Sequence, residues 1–135
     1  MPKLAPWAFA LVVLALIIWR ATRNTRSMVD QTLARRPNPT REEFLAELAP
    51  SVSPATAIFL WDTILPYVTP ALTPHPDDHL WNDLPIDEDD VTMDWPSDFA
   101  KTHGRKLKSW PAWPDGTPVT VRNFGLWLDA ASRDW

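Results

Sequence analysis

The sequence contains no cysteine and only three glycines, and both scarcities exclude particular kinds of functional site. Without cysteine there can be no disulfide, no thiolate zinc site and no cysteine nucleophile. The glycines lie far apart, so the chain has neither a G-x-G-x-x-G fingerprint nor a P-loop. Prolines, in contrast, number fifteen in 135 residues, and they argue against long uninterrupted helices beyond the N-terminal region.

Charge is distributed unevenly along the chain. Residues 1–36 carry six Lys/Arg and one acid, giving +5, whereas residues 37–135 carry seven basic and sixteen acidic side chains, giving −9. The composition, 45% hydrophobic and 22% charged, is that of a folded rather than a disordered chain. An acidic globular part argues against nucleic acid as a partner and favours a basic partner protein.

The one long uncharged run, Leu4–Trp19, predicts a single transmembrane helix. Its sixteen residues would form a helix of about 24 Å, somewhat short of a ~30 Å hydrocarbon core. Trp7 and Trp19 suit the two membrane interfaces, and Lys3 and Arg20 can extend their charges outward. The lipid bilayer is therefore a predicted partner of this segment.

Two alternatives to an anchor stay open, a cleaved signal peptide and a soluble hydrophobic helix. The following "WRATRNTR" has no obvious A-x-A cleavage site and is crowded with arginine, which favours the anchor. Arginine directly after the span predicts a C-terminal domain in the cytoplasm, on the inner face of a membrane. The opposite orientation would describe an envelope structural protein.

Start signals predict the first helices of the soluble part. Thr40 opens a capping box that predicts a helix over 41–49, and Ser53 before Pro54 predicts another that stops near Leu65, before Pro66. The predicted apolar stripe of the second helix is Ile58, Trp61, Ile64 and Leu65. A long proline-punctuated loop follows.

The acidic block contains the next start signal. Asp87 is a suitable cap for a helix that begins near Glu88, because acids favour a helix N-terminus. Pro96 is expected to kink or end that helix, Ser97 to cap its continuation and Gly104 to stop it.

A second loop, with a turn at "PDGT", precedes a last helix capped by Thr120; "PVTV" is alternatively a short strand. The predicted fold is all-α, with one N-terminal transmembrane helix and a small irregular helical bundle. The predicted divisions are 1–22, the anchor; 23–39, a basic helical stalk and linker; and 40–135, an acidic helical domain.

The order of helix, long loop, "LWNDLPID" and second helix resembles an acyl carrier protein. Leu80, Asp83, Leu84, Ile86 and Asp87 fit the pattern that flanks the attachment serine in that family. "DLPIDEDDV", "FAKTHGRKL" and the terminal Trp135 are closer still to an uncharacterised bacterial family of acyl-carrier-like proteins. The resemblance covers about residues 53–135 and implies a carrier-like bundle.

This sequence departs from the carrier pattern at the decisive position. Glu88 occupies the place of the serine that holds the phosphopantetheine arm, and a carboxylate cannot accept that phosphodiester. We therefore expect no cofactor at the usual site. A carrier modified at another residue is the alternative.

Acidic residues crowd this region, since residues 75–98 contain nine acids and no Lys or Arg. The resemblance implies a docking face for basic partner surfaces, and a solvated helix start is the simpler interpretation. The predicted docking residues are Asp87, Glu88, Asp89, Asp90 and Asp94.

Metal and catalytic sites find little support in the sequence. "DEDD" lacks the glycine and the distal glutamate of an EF-hand, and the prolines around "HPDDH" prevent a helix that would align His75 with His79. A Ser–His–acid set would have to be assembled from scattered residues without an elbow motif. We predict neither a metal site nor an enzyme.

Overall fold

The computed structural model describes residues 5–105, 110–133 and 135, and the chain within them is helical and without β-strands. The prediction of an all-α fold is confirmed. Lys3 and Leu4 of the predicted anchor and residues 106–109 of the second predicted loop lie outside the described residues. The helices are α1 (Pro6–Arg35), α2 (Arg41–Leu48), α3 (Pro54–Val68), α4 (Trp95–Thr102) and α5 (Val121–Ser132), and a π-helical turn (Asp90–Asp94) leads into α4.

Helix α1 has 30 residues, about 45 Å at 1.5 Å per residue, and is long and apolar enough to cross a membrane. None of its most apolar 18-residue window is buried against the rest of the chain, so this segment is not a core helix. The helix continues through the basic stretch to Arg35, so residues 23–35 are helical, as predicted. Extended backbone at Arg36, before the two prolines of "RPNP", ends it.

The predicted caps of α2, α3 and α5 are confirmed. The Thr40 side chain accepts the Glu43 N–H at 3.2 Å while the Glu43 carboxylate accepts the Thr40 N–H, which completes the capping box. Ser53 accepts the Thr56 N–H at 3.4 Å, and Thr120 accepts that of Asn123 at 3.1 Å. These bonds satisfy N–H groups that have no partner within the helix.

The predicted end of α3 before Pro66 is wrong. The helix continues to Val68, with Pro66 inside its last turn and the Thr69 N–H bonded to the Leu65 carbonyl at 3.1 Å. Near a C-terminus a proline removes a single helical hydrogen bond. The last turn also buries Val68 against the core, which offsets that loss.

Pro96 does not end its helix, and Ser97 does not cap a continuation. Helical residues begin at Glu88 and the chain passes through the π-helical turn directly into α4, where Ser97 is an interior residue. The Trp95 N–H bonds to the Asp90 carbonyl, five residues back. This wider turn accommodates the Pro96 ring within a helix that is continuous from Glu88.

The core is continuous, and every helix except α1 contributes fully buried side chains to it. Its members include Phe44, Leu48, Leu60, Ile64, Leu84, Val91, Trp95, Phe99, Val121 and Leu128. Trp61 and Ile64 of the predicted stripe are buried, but Ile58 is exposed, contrary to prediction, because α3 turns Ala57 and Leu60 inward instead. Gly125 lets α5 approach α3 closely, since a Cβ there would lie 2.9 Å from Leu60 Cδ1.

The two long loops meet at one point. "PVTV" is not a strand, but Thr120 forms an isolated antiparallel bridge with His79. The Leu80 N–H bonds to the Val119 carbonyl and the Val121 N–H to the Asp78 carbonyl, each at 3.0 Å. The first loop therefore lies against the start of α5.

Two of the three glycines have positive φ angles where turns were predicted. Gly104 lies at the predicted helix stop, and Gly116 lies in the predicted "PDGT" turn.

Candidate docking surface

The acidic helix start, defined as Asp87, Glu88, Asp89, Asp90 and Asp94, lies where the long first loop enters the helix. Asp87 Oδ1 accepts the Asp89 N–H at 3.0 Å, which confirms Asp87 as the cap. All five side chains are exposed except Asp90, which is half-buried. Leu84, Ile86 and Val91, which flank these acids in the sequence, are buried in the core, so apolar contacts attach the segment to the domain.

Three of the other four acids of residues 75–98, those of the loop, differ from this group in having ion-pair partners, whereas Asp98 in α4 is exposed and has none among the described residues. Among the described residues, Asp77 pairs with Arg122, Asp78 with Arg36 and Asp83 with Arg35. No residue of the acidic helix start takes part in an ion pair with another described residue. The fold thus neutralises the acids of the loop and leaves those of the helix start facing solvent.

One large apolar side chain lies within the acidic helix start. Met93 is 66% exposed, in the π-helical turn, next to Asp94. A flexible thioether side chain fits irregular apolar pockets, and an apolar anchor ringed by charges is typical of interaction sites. No sequence signal points to Met93, because only the structure shows which side of the turn is exposed.

None of the five side chains of the acidic helix start carries a hydroxyl, and Glu88 stands where the resemblance to a carrier would place a serine. Glu88 is exposed there, and the nearest hydroxyl, that of Thr92, donates to the Glu88 carbonyl at 3.1 Å. Ser97 lies further on, inside α4. The arrangement can attract cations and basic surfaces by charge, but Glu88 has no group that a phosphopantetheine arm could esterify.

Arg36 and Asp78 fasten the loop before the acidic helix start to the end of α1. Arg36 Nε and Nη2 donate to the two carboxylate oxygens of Asp78 at 3.1 and 2.7 Å, and the two side chains are only 10% and 3% exposed. Nη2 also donates to the Thr73 carbonyl, and Nη1 to that of Pro37. Burial raises the pKa of Asp78 above its ordinary value, although Arg36 acts in the opposite direction.

Asp83 provides the second attachment of the loop to α1. Its carbonyl accepts the Thr32 hydroxyl at 2.6 Å, and its carboxylate pairs with Arg35 at 2.7 Å. The other carboxylate oxygen accepts the His79 N–H at 2.7 Å. Arg35 and Arg36 belong to the predicted basic stalk of residues 23–39, but the structure places both against the domain.

Three potential metal ligands approach one another near "HPDDH", on a different part of the surface. Donor atoms of Glu47, His75 and Asp77 lie within 4.8 Å of one another. His75 Nδ1, however, accepts the Asp77 N–H at 3.1 Å, so the neutral ring carries its proton on Nε2. A metal on Nε2 would require a proton on Nδ1 and the loss of that bond. Arg122 also contacts Asp77, so the donor set does not suit a cation.

Comparison with known proteins gives no independent assignment. No family model matches the chain, and no curated protein or solved structure matches it either.

Proposed function

We propose that this chain is a membrane-anchored, non-catalytic interaction module that docks a basic partner protein through the acidic helix start. The observation that carries the proposal is the contrast among the acids of residues 75–98. Those of the loop are ion-paired, and those of the helix start are exposed without an ion pair among the described residues. A cluster of unneutralised charges steers a complementary partner and sets its orientation.

In the proposed arrangement α1 crosses the inner membrane of a bacterium and the domain faces the cytoplasm. Arg20, Arg23 and Arg26 follow the apolar segment and are exposed, as the positive-inside bias requires of a cytoplasmic flank. The guanidinium of Arg23 lies 5.2 Å from the ring centre of Trp19, which is the pairing expected at a membrane interface.

The resemblance to acyl carrier proteins supports the same proposal. Such a module would keep the capped helix and the acidic docking face of a carrier and would lack the arm, because Glu88 replaces the serine. The partner would then recognise the surface of the domain and receive no acyl group from it.

Charge reversal at the helix start tests the proposal. In a crosslinking pull-down from native membranes, Glu88→Lys/Asp89→Lys is expected to reduce the captured partner at least about tenfold, because each reversal replaces attraction with repulsion. The matched control is Glu42→Lys/Asp62→Lys, which makes the same charge change at exposed helical positions away from the helix start and should capture as much as the native chain. Equal capture by all three proteins would contradict the proposal.

A further inference from the structure

Beside the π-helical turn lies a cavity of about 220 Å³ that the proposed docking does not use. Three tryptophans from separate parts of the chain line it, Trp81 from the first loop, Trp113 from the second loop and Trp127 from α5. Phe124 adds a fourth aromatic ring, and Val91 and Pro96 contribute aliphatic walls. No carboxylate, amide or basic group is among its lining residues.

The indole N–H groups on two of these walls are already bonded to backbone carbonyls. Trp113 Nε1 donates to the Thr117 carbonyl and Trp127 Nε1 to that of Pro111, each at 2.9 Å. The Trp127 ring also stacks on Trp110, with ring centres 4.7 Å apart. These rings are therefore held in place, and they offer a ligand aromatic surface and no hydrogen-bond donor.

The electrostatic surroundings favour a positive ligand. Val91, on the cavity wall, directly follows the four acids 87–90, and Asp94 lies two residues before Pro96. The whole of residues 37–135 carries a formal charge of −9. Aromatic faces attract cations through their quadrupole, and the attraction strengthens where water is excluded.

We propose that this cavity binds the quaternary ammonium group of a small soluble molecule. A primary ammonium would lose its hydrogen bonds to water and find one side-chain acceptor among the lining residues, the Thr92 hydroxyl, for its three N–H groups. A trimethylammonium group has no N–H to satisfy, presents an apolar surface and keeps its charge. It therefore uses the apolar walls, the aromatic faces and the surrounding negative charge together. This inference is independent of the proposed docking.

A lipid headgroup could supply the same chemistry, but the length of α1 favours a soluble source. Val29, ten positions after Trp19, the last residue of the apolar run, already packs against the core of the domain. At 1.5 Å per residue these ten positions span about 15 Å of helix, which separates the core from the headgroup level at which Trp19 is expected.

Ligand-detected NMR on the full chain tests the inference. The chain is placed in nanodiscs of phosphatidylglycerol and phosphatidylethanolamine, which contain no choline, and is titrated with choline or with its neutral isostere 3,3-dimethylbutan-1-ol. We expect choline to bind at least about tenfold more tightly, because only choline gains the cation–π attraction. Equal affinities, or no saturable binding of choline, would overturn the inference.

Two substitutions test whether choline is bound by the aromatic faces or only by the apolar character of the cavity. Trp81→Leu and Trp127→Leu keep an apolar wall and remove a π face, so each should weaken choline binding about tenfold and leave the isostere unchanged. Trp81 is half-buried, and its variant is the safer for folding; circular dichroism verifies that the helical content is retained. Trp19→Leu, in α1, is the matched control and should bind choline normally. If folded Trp81→Leu lost affinity equally for choline and for the isostere, the result would contradict a cation–π contribution from the Trp81 ring.

The source of the ligand is decided by a second set of nanodiscs that contain phosphatidylcholine. If the natural ligand is soluble, the apparent affinity for free choline stays the same in these discs. A tenfold weaker apparent affinity would show that lipid headgroups occupy the cavity, and it would overturn the assignment to a soluble molecule.

Discussion

Replacing Arg36 with methionine is expected to lower the free energy of unfolding by about 3–5 kcal/mol, because it leaves the Asp78 carboxylate buried without its partner. The guanidinium donates to both Asp78 oxygens, to the Thr73 and Pro37 carbonyls and to the Asn38 side chain, so five hydrogen bonds are lost together. Urea denaturation of the detergent-solubilised full chain, followed by tryptophan fluorescence, measures the change.

The neighbouring arginine provides the control. Arg35 pairs with Asp83 at the same distance of 2.7 Å, but its side chain is 56% exposed. Arg35→Met should therefore cost only about 0–1 kcal/mol. A double variant, Arg36→Met/Asp78→Asn, should be more stable than Arg36→Met alone, since no unpaired charge remains buried. Equal effects of Arg35→Met and Arg36→Met would contradict a structural role for the buried pair.

Because the pKa of Asp78 is raised, the loss of stability caused by Arg36→Met should depend on pH. Because burial raises the folded-state pKa above the ordinary value of 3.8, the native state retains this proton at a pH where the unfolded state has lost it. The stability linked to Asp78 is thus fully present below about pH 3.8 and declines as pH rises through the folded-state pKa. Loss of Arg36 raises this pKa further, so the destabilisation by Arg36→Met should shrink on acidification.

Phe99→Ala is expected to destabilise the domain by about 3–5 kcal/mol, because it opens a cavity at the centre of the core. The ring is fully buried, packs edge-on against Phe59 at 5.1 Å between ring centres, and contacts His103 and Trp135. The same urea titration measures the loss.

Met93→Ala is the comparison for Phe99→Ala, since both residues lie on the helix that begins at Glu88. Because the Met93 side chain is largely exposed, Met93→Ala should change the free energy of unfolding by less than about 0.5 kcal/mol. The same substitution should nevertheless weaken partner capture. A large loss of stability from Met93→Ala, or none from Phe99→Ala, would show that this helix is packed differently.

Local signals in the sequence were sufficient to predict most helix starts. Thr40, Ser53, Asp87 and Thr120 each have a short polar side chain whose oxygen reaches an N–H two or three residues ahead, and the hydrogen bonds of all four are present. The all-α class and the long N-terminal helix followed from such signals and from hydropathy.

Proline was the main source of error, because its cost depends on position within a helix. Pro66 lies where only one bond is lost, and Pro96 is accommodated by five preceding residues in π-helical geometry. A sequence pattern shows that a helical hydrogen bond is missing, but it does not show whether burial of Val68 or Trp95 offsets the loss.

Contacts between distant residues could not be read from the sequence. Arg36 and Asp78 are separated by 42 positions in the sequence. Asp129 of α5 and Ser53 are separated by 76 positions, and the Asp129 carboxylate accepts the Ser53 N–H at 2.8 Å. The aromatic cavity likewise combines residues 81, 113 and 127. The acids of the helix start were named from the sequence, but the pairing of Asp77, Asp78 and Asp83 that sets them apart appears only when the loops are folded.

Site-specific photo-crosslinking from Met93 tests the docking surface most directly. A photoreactive phenylalanine at Met93 should crosslink one partner protein in native membranes, and the adduct should disappear with Glu88→Lys/Asp89→Lys and diminish at high salt. The same probe at Ile58, an exposed position on α3, should not produce this adduct. An adduct of equal yield from Ile58, or one at Met93 that survives charge reversal, would contradict docking through the acidic helix start.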